Sequence, residues 1–422
     1  MSEHFIGFQC SLCKTEYSPD EVSYICPKDG GNLDTILDFK AISRKISPQS
    51  ILSNREPSLW RYQQLLPLSK QHGEGTPLRA AGWTPLFAPL RLREQLGMRT
   101  LWLKDESYNP TASFKDRASA VVVARAREIG AGVVVTASTG NAGAALAGMA
   151  AAVGQPAVIF APRTAPPAKV AQLLVFGAKV LLVDGSYDQA FDLSIQAADE
   201  FGWYCRNTGY NPFTLEGKKT AAFEIWEKLL RRSPHRSAQD SGSAKLLAVF
   251  VSVGDGNIIS GLHKGFKDLM ALGWLEQMPR LLGVQAEGSA AIANSFTAGV
   301  EEIQPVSAST LADSISVDLP RDGVRAVRAA RQTGGSYIKV SDSAILEAIA
   351  DLGRAGIFAE PAGAAAFAGL KEALRIGTIQ QDDPVVVINT GSGLKDVRAA
   401  MQAVAEAPII EPTLAAVKKV IR

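Results

Sequence analysis

Residues 132–160 read GVVVTASTGNAGAALAGMAAAVGQPAVIF. The stretch opens on β-branched residues and enters a loop of hydroxyl, glycine and amide groups at Ser138-Thr139-Gly140-Asn141. It continues as a small-residue helix from Ala142 to Val153 and closes on a second apolar run at Ala157–Phe160. No formal charge occurs in the 34 residues between Glu128 and Arg163. A transmembrane helix needs about 20 continuous apolar residues, and Gly140, Asn141, Gly143, Gly154 and Pro156 interrupt this run. Strands covered on both faces read as unbroken apolar runs instead of alternating ones. The stretch is therefore a strand, a polar loop, a helix and a strand inside a parallel sheet.

The same rhythm extends outward. A helix is expected at Ser113–Ile129, with Ser113 as N-cap, Asp116 completing a capping box and Gly130 ending it. Leu101–Leu103 and Lys179–Val183 read as strands, and Pro167–Phe176 and Ser186–Phe201 as helices. A helix around Ala221–Leu230 leads to a polar insert at Arg231–Ser243, expected to be a surface loop. Strands then follow at Leu246–Val253, Leu281–Ala286, Ser336–Val340 and Pro384–Asn389. They alternate with helices at Ile258–Ala271, Ala344–Arg354, Ala362–Arg375 and near Val397–Val404. Such alternation defines an α/β chain. Ligands of such sheets sit in loops at the carboxyl ends of strands.

Composition narrows the function. The 422 residues carry 44 Lys and Arg against 42 Asp and Glu, a net charge of +2. That balance argues against a nucleic-acid partner. With 46% apolar and 20% charged residues the chain is an ordinary globular mixture, and no membrane partner is expected. Met1–Phe8 lacks the basic and apolar parts of a secretory signal, so a cytoplasmic address is expected. Cys10, Cys13 and Cys26 crowd one short leader and read as a metal knuckle, not a disulfide scaffold.

Three strand-to-helix loops and one late strand end carry the chemistry. In Asn109-Pro-Thr-Ala-Ser-Phe-Lys115 a lysine sits at a helix N-terminus, where the dipole favours its neutral amine. Such an amine forms Schiff bases with aldehyde cofactors, although a lone lysine more commonly snorkels to solvent. Ser138, Thr139 and Asn141 are neutral donors suited to an anion, or an ordinary capped turn. Gly254-Asp255-Gly256-Asn257 is a short glycine loop able to cradle a phosphate, or a simple turn. The strand Pro384–Asn389 runs out at Thr390, whose neutral hydroxyl could meet a ring nitrogen; a plain glycine turn is the alternative.

In this order, over about residues 74–400, the parts resemble the fold-type-II pyridoxal-phosphate enzymes, the tryptophan synthase β-subunit family. Within it, five segments are similar to threonine synthases. They are Gly73-Glu-Gly-Thr-Pro-Leu78, Leu103-Lys-Asp-Glu106, Pro110-Thr-Ala-Ser-Phe-Lys-Asp-Arg117, Leu215-Glu-Gly-Lys-Lys-Thr-Ala-Ala222 and Thr390-Gly-Ser-Gly-Leu-Lys-Asp396. The Cys-bearing leader is also similar to that of many of these enzymes. The resemblance implies pyridoxal 5′-phosphate held on Lys115, which also shuttles protons. It implies Asn141 at the cofactor's 3′-oxygen, Gly254, Asp255, Gly256 and Asn257 around its phosphate, Thr390 at its ring nitrogen and Phe114 packed near the ring. Ser138 and Thr139 would bind an amino-acid phosphate substrate. The implied reaction turns O-phospho-L-homoserine and water into L-threonine and phosphate. Threonine dehydratase, diaminopropionate ammonia-lyase and cysteate synthase chemistry are the alternatives. A different class would be a non-catalytic binding protein. The resemblance also implies a homodimer of two doubly wound parallel-sheet domains. These are a large domain (41–107 with 218–422) and a smaller inserted one (108–217), preceded by a zinc-ribbon-like leader (1–40).

Departures bear on the substrate. Lys218 stands where threonine synthases commonly have Gln, and Ala112 where Gly is usual. Thr76-Pro77-Leu78 and Thr84-Pro85-Leu86 compete for one family position. In the leader, Asp29 occupies the place of a fourth cysteine, which leaves a structural zinc on Cys10, Cys13, Cys26 and Asp29 or a metal-free ribbon.

Overall fold

A computed structural model of the chain describes residues 2–69, 73–232 and 245–421. Most of the insert expected as a surface loop therefore lies outside the described residues. The apolar runs form two sheets. The larger has six strands in the order Ser336–Val340, Arg280–Ala286, Ala248–Ser252, Val385–Asn389, Leu101–Asp105, Leu86–Phe87. All its pairings are parallel except that of the two-residue edge strand Leu86–Phe87. The smaller has four parallel strands in the order Lys179–Val183, Ala157–Pro162, Val134–Ala137, Tyr204–Cys205. Val134 pairs with Ala157 and Ala137 with Phe160, as the charge-free stretch requires. No helix among the described residues is long and apolar enough to cross a membrane.

The leader is a separate antiparallel sheet of Phe5–Cys10, Glu16–Tyr17 and Leu33–Leu37. It docks through aromatic edges: Phe5 and Phe8 meet the ring of Phe213 at 6.0 and 6.3 Å.

Of the helix boundaries that depart from the sequence reading, two bear on the cleft. The helix expected at Ser113 begins at Lys115, and the capping box does not form. Asp116 instead turns back to accept the Thr111 N–H at 2.6 Å, leaving the Ser113 hydroxyl without a partner. The helix expected at Ala221–Leu230 starts at Phe213 and runs to Arg232. Its polar residues Glu216, Lys218, Lys219, Thr220, Glu224 and Glu227 are all buried, so an apolar stripe does not mark it. Glycine lets its neighbours close on it. A Cβ on Gly217 would lie 2.0 Å from the Arg117 carbonyl oxygen, and one on Gly261 would lie 2.7 Å from the Lys218 Cβ.

Candidate active site

Backbone hydrogen bonds bring distant loops together. The Phe114 N–H donates to the Thr390 carbonyl at 2.9 Å, and the Ser392 N–H to the Ala112 carbonyl at 3.0 Å. These bonds set Lys115, at the start of Lys115–Glu128, beside the end of Val385–Asn389. Below the helix lies a buried ionic network. Arg117 reaches Glu106 at 2.7 and 2.8 Å and Glu224 at 2.9 Å. Lys104 donates to Glu224 at 2.6 Å, and the Thr84 hydroxyl to Glu106 at 2.7 Å. Thr84 is thus the buried, wired copy of the repeated Thr-Pro-Leu, whereas Thr76 is half-buried and its hydroxyl donates to the nearby Gly73 carbonyl at 2.6 Å.

A cleft of about 540 Å³ opens at the carboxyl ends of both sheets. Lys115, Ser138, Thr139, Asn141, Gly254, Asp255, Gly256, Asn257 and Thr390 all line it. Lys115 is half-buried, and its amine makes no hydrogen bond to a described residue. Burial holds that amine below the ordinary lysine range, with Arg206 adding to the effect and Glu360 opposing it. The Thr390 hydroxyl is buried without a partner. Gly256 adopts φ +91°, and a Cβ there would lie 2.8 Å from the Asp322 carbonyl oxygen. Only glycine fits this turn.

Two expected residues sit differently. Phe114 is fully buried in the core, 5.5 Å from the Arg117 guanidinium, and does not line the cleft. As the residue preceding the helix it turns inward while Lys115 faces the cleft. The Asn257 side chain is engaged within the protein. It accepts from Lys218 at 2.5 Å and donates to Asp322 at 2.7 Å.

Two residues of the cleft region, Glu360 and Arg206, went unread, and Lys218 was noted only as a departure from the family motif. Glu360 accepts two hydrogen bonds from the Asn141 amide, at 2.7 and 2.9 Å, and burial raises its carboxyl above the usual range. Arg206 is fully buried with one guanidinium nitrogen unpartnered. Burial lowers it to about 10. Lys218 falls well below the ordinary lysine range through burial, with Arg206 and Lys115 nearby. Arg206 directly follows the strand Tyr204–Cys205, so the rule about strand ends could have found it. Glu360 precedes a helix with no strand before it and gives no such signal.

The arrangement offers a nucleophilic amine, a hydroxyl without a partner, a glycine cradle and buried cations, enough to hold and activate an anionic aldehyde. The cysteines also converge: one ligand atom each from Cys10, Cys13, Cys26 and Asp29 lies within 4.8 Å of the others.

Comparison with known proteins places the chain in a family. The family model described as pyridoxal-phosphate dependent enzyme matches residues 78–391. The chain is 38% identical over 417 residues to the threonine synthase of Methanocaldococcus jannaschii, covering 98% of this chain and 99% of the relative. It is 36% identical to the threonine synthase of Mycobacterium leprae, covering 83% and 91%. The processed form of threonine deaminase isoform 2 from Solanum lycopersicum shares the fold. Its TM-score is 0.64 at 23% identity, covering 86% of this chain and 94% of that one. On the matched span and the identity to relatives over nearly the whole chain, this chain belongs to the pyridoxal-phosphate dependent enzyme family.

Proposed function

We propose that this chain converts O-phospho-L-homoserine and water to L-threonine and phosphate. One observation carries the reading: Lys115, the Thr390 hydroxyl and the Gly254–Asn257 loop meet in one cleft, from three separate parts of the chain. The residues fit pyridoxal phosphate. Lys115 would hold it through its amine, Thr390 would meet its ring nitrogen, and the loop would take its phosphate. The unpartnered Thr390 hydroxyl and the cradle closed to any Cβ are the features that fit. When bound, the cofactor withdraws electrons from the substrate Cα and acidifies its proton.

The chain's own groups supply the rest. The Lys115 amine, whose basicity burial lowers, takes the Cα proton and returns protons along the substrate's carbon chain. Ser138 and Thr139 orient the anionic substrate at the start of Asn141–Ala151. Glu360 holds the Asn141 amide in position. Arg206 and Lys218 give the leaving phosphate a positive wall. A proton leaves Cβ and phosphate leaves Cγ, Cγ then takes up a proton and water adds at Cβ, so one water is consumed per phosphate released. The unit 108–217 is proposed as the small domain and 41–107 with 218–422 as the large one, in a homodimer. Sedimentation of the purified chain tests the dimer.

The direct test follows phosphate and threonine together from O-phospho-L-homoserine. Equal release of both, abolished by Lys115→Ala, is the expected result. Phosphate with 2-oxobutyrate in place of threonine would mean elimination without controlled water addition and would overturn the assignment.

A further inference from the structure

We propose that Cys10, Cys13, Cys26 and Asp29 hold one zinc ion, and that this ion locks the leader against the segment supporting the glycine loop of the cleft. The coupling half rests on the reading of Gly254–Asn257 as the cofactor-phosphate cradle.

The geometry fits a four-coordinate ion. Cys13 Sγ and Cys26 Sγ lie 3.7 Å apart. Two sulfurs at zinc bonds of about 2.3 Å on tetrahedral corners lie about 3.8 Å apart. A disulfide would need about 2.0 Å. Cys10 Sγ stands 3.3 Å from Asp29 Oδ1, near the sulfur–oxygen edge of the same tetrahedron. Backbone N–H groups orient the ligands. Leu12 donates to Cys10 Sγ at 3.3 Å, Cys13 to Asp29 Oδ2 at 3.1 Å and Gly31 to Asp29 Oδ1 at 2.9 Å. A Cβ on Gly31 would sit 2.7 Å from Cys10 Sγ, so glycine there keeps the corner free. Three thiolates and a carboxylate fill all four positions, the pattern of a structural site instead of a catalytic one. Cys10 and Cys26 are buried while Cys13 and Asp29 face solvent, so the ion has a way in.

From this knuckle direct hydrogen bonds lead to the cleft. Asn32 donates to the Arg321 carbonyl at 3.2 Å and also to the Gly209 carbonyl. Asp34 accepts from Arg325 at 2.7 Å, and Arg325 donates onward to Asp322 at 2.5 Å. The Asp322 N–H donates to the Asp255 carbonyl at 2.9 Å, and the Asp322 carboxylate accepts from Asn257 at 2.7 Å. An ion that orders Cys26–Asn32 therefore orders the support of Asp255–Asn257. Linkage is reciprocal: if zinc tightens cofactor binding, cofactor tightens zinc by the same factor.

The test uses the full chain. Metal analysis and X-ray absorption are expected to show one zinc per chain with three sulfur ligands and one oxygen. Chelation is expected to weaken pyridoxal phosphate binding, read by absorbance titration, by at least about fivefold, and zinc to restore it. Asp29→Cys is expected to keep the metal and Asp29→Ala to lose it. Asn32→Ala leaves every ligand and the Asp34–Arg325 route in place and is expected to keep zinc while weakening the coupling, and Asn32→Ala with Asp34→Ala to keep zinc while losing it. A reduced chain that takes up no zinc, or a native Cys13–Cys26 disulfide, overturns the site. Unchanged cofactor affinity after zinc removal overturns the coupling. Zinc uptake by a chain that never binds pyridoxal phosphate upholds the site and overturns the reading of the cradle.

Discussion

Ala112 adopts φ +62°, a left-handed conformation three residues before Lys115. The chain turns there so that Lys115 enters the cleft while Phe114 points into the core. An L-residue with a Cβ pays about 1–2 kcal/mol in this region. Glycine removes that strain but loses about 0.4–1 kcal/mol through the freedom it adds to the unfolded chain. Ala112→Gly is therefore expected to raise stability by about 0.5–1 kcal/mol, measured by urea unfolding. At the neighbouring positions the lysine was legible because a cation at a helix start is unusual. The fate of Phe114 was not legible, because one residue of shift in the helix start turns a side chain by about 100°.

At the scale of elements, the strands were read closely. Lys179–Val183 and Ser336–Val340 have the expected bounds, since a short, largely apolar run bounded by glycine and polar breakers reads as a strand. The start of the helix Phe213–Arg232 was missed for the opposite reason. It is buried between Lys115–Glu128 and Asn257–Ala271, and it satisfies its charges by pairing instead of by exposure. Arg117 is the hub of that pairing, with Glu106 on one side and Glu224 on the other, all fully buried. Removing one partner of a buried pair leaves uncompensated charge. Arg117→Ala is expected to cost about 3–5 kcal/mol, seen as an earlier thermal transition. A loss within ±0.5 kcal/mol, as for an ordinary surface substitution, would show that the network does not hold this helix.

Across the whole molecule, Lys115, Arg206 and Lys218 come together only because the two sheets face each other across the cleft. Arg206 and the two lysine amines line one wall of the cleft, and burial, with Arg206 and Lys115 nearby, drives Lys218 well below its usual range, so a bound anion would favour its protonated form. Lys218→Gln keeps a donor for Asn257 but removes one charge. It is expected to weaken binding of inorganic phosphate about tenfold, because a charge-assisted hydrogen bond contributes about 1.5–3 kcal/mol. Calorimetric titration of phosphate checks this, and equal affinities for the two proteins would remove Lys218 from the anion site. Local order in the chain determined the α/β class, the strands and the glycine and hydroxyl loops, because backbone preference and burial of a strand or helix are written within short windows of residues. Packing decided that Glu360 meets Asn141, that Arg206 and Lys218 face Lys115, that the Asn257 side chain bonds Lys218 and Asp322 and that Asp29 closes on three cysteines. Those contacts join residues far apart in sequence or depend on the direction of one side chain, and neither periodicity nor composition carries that information.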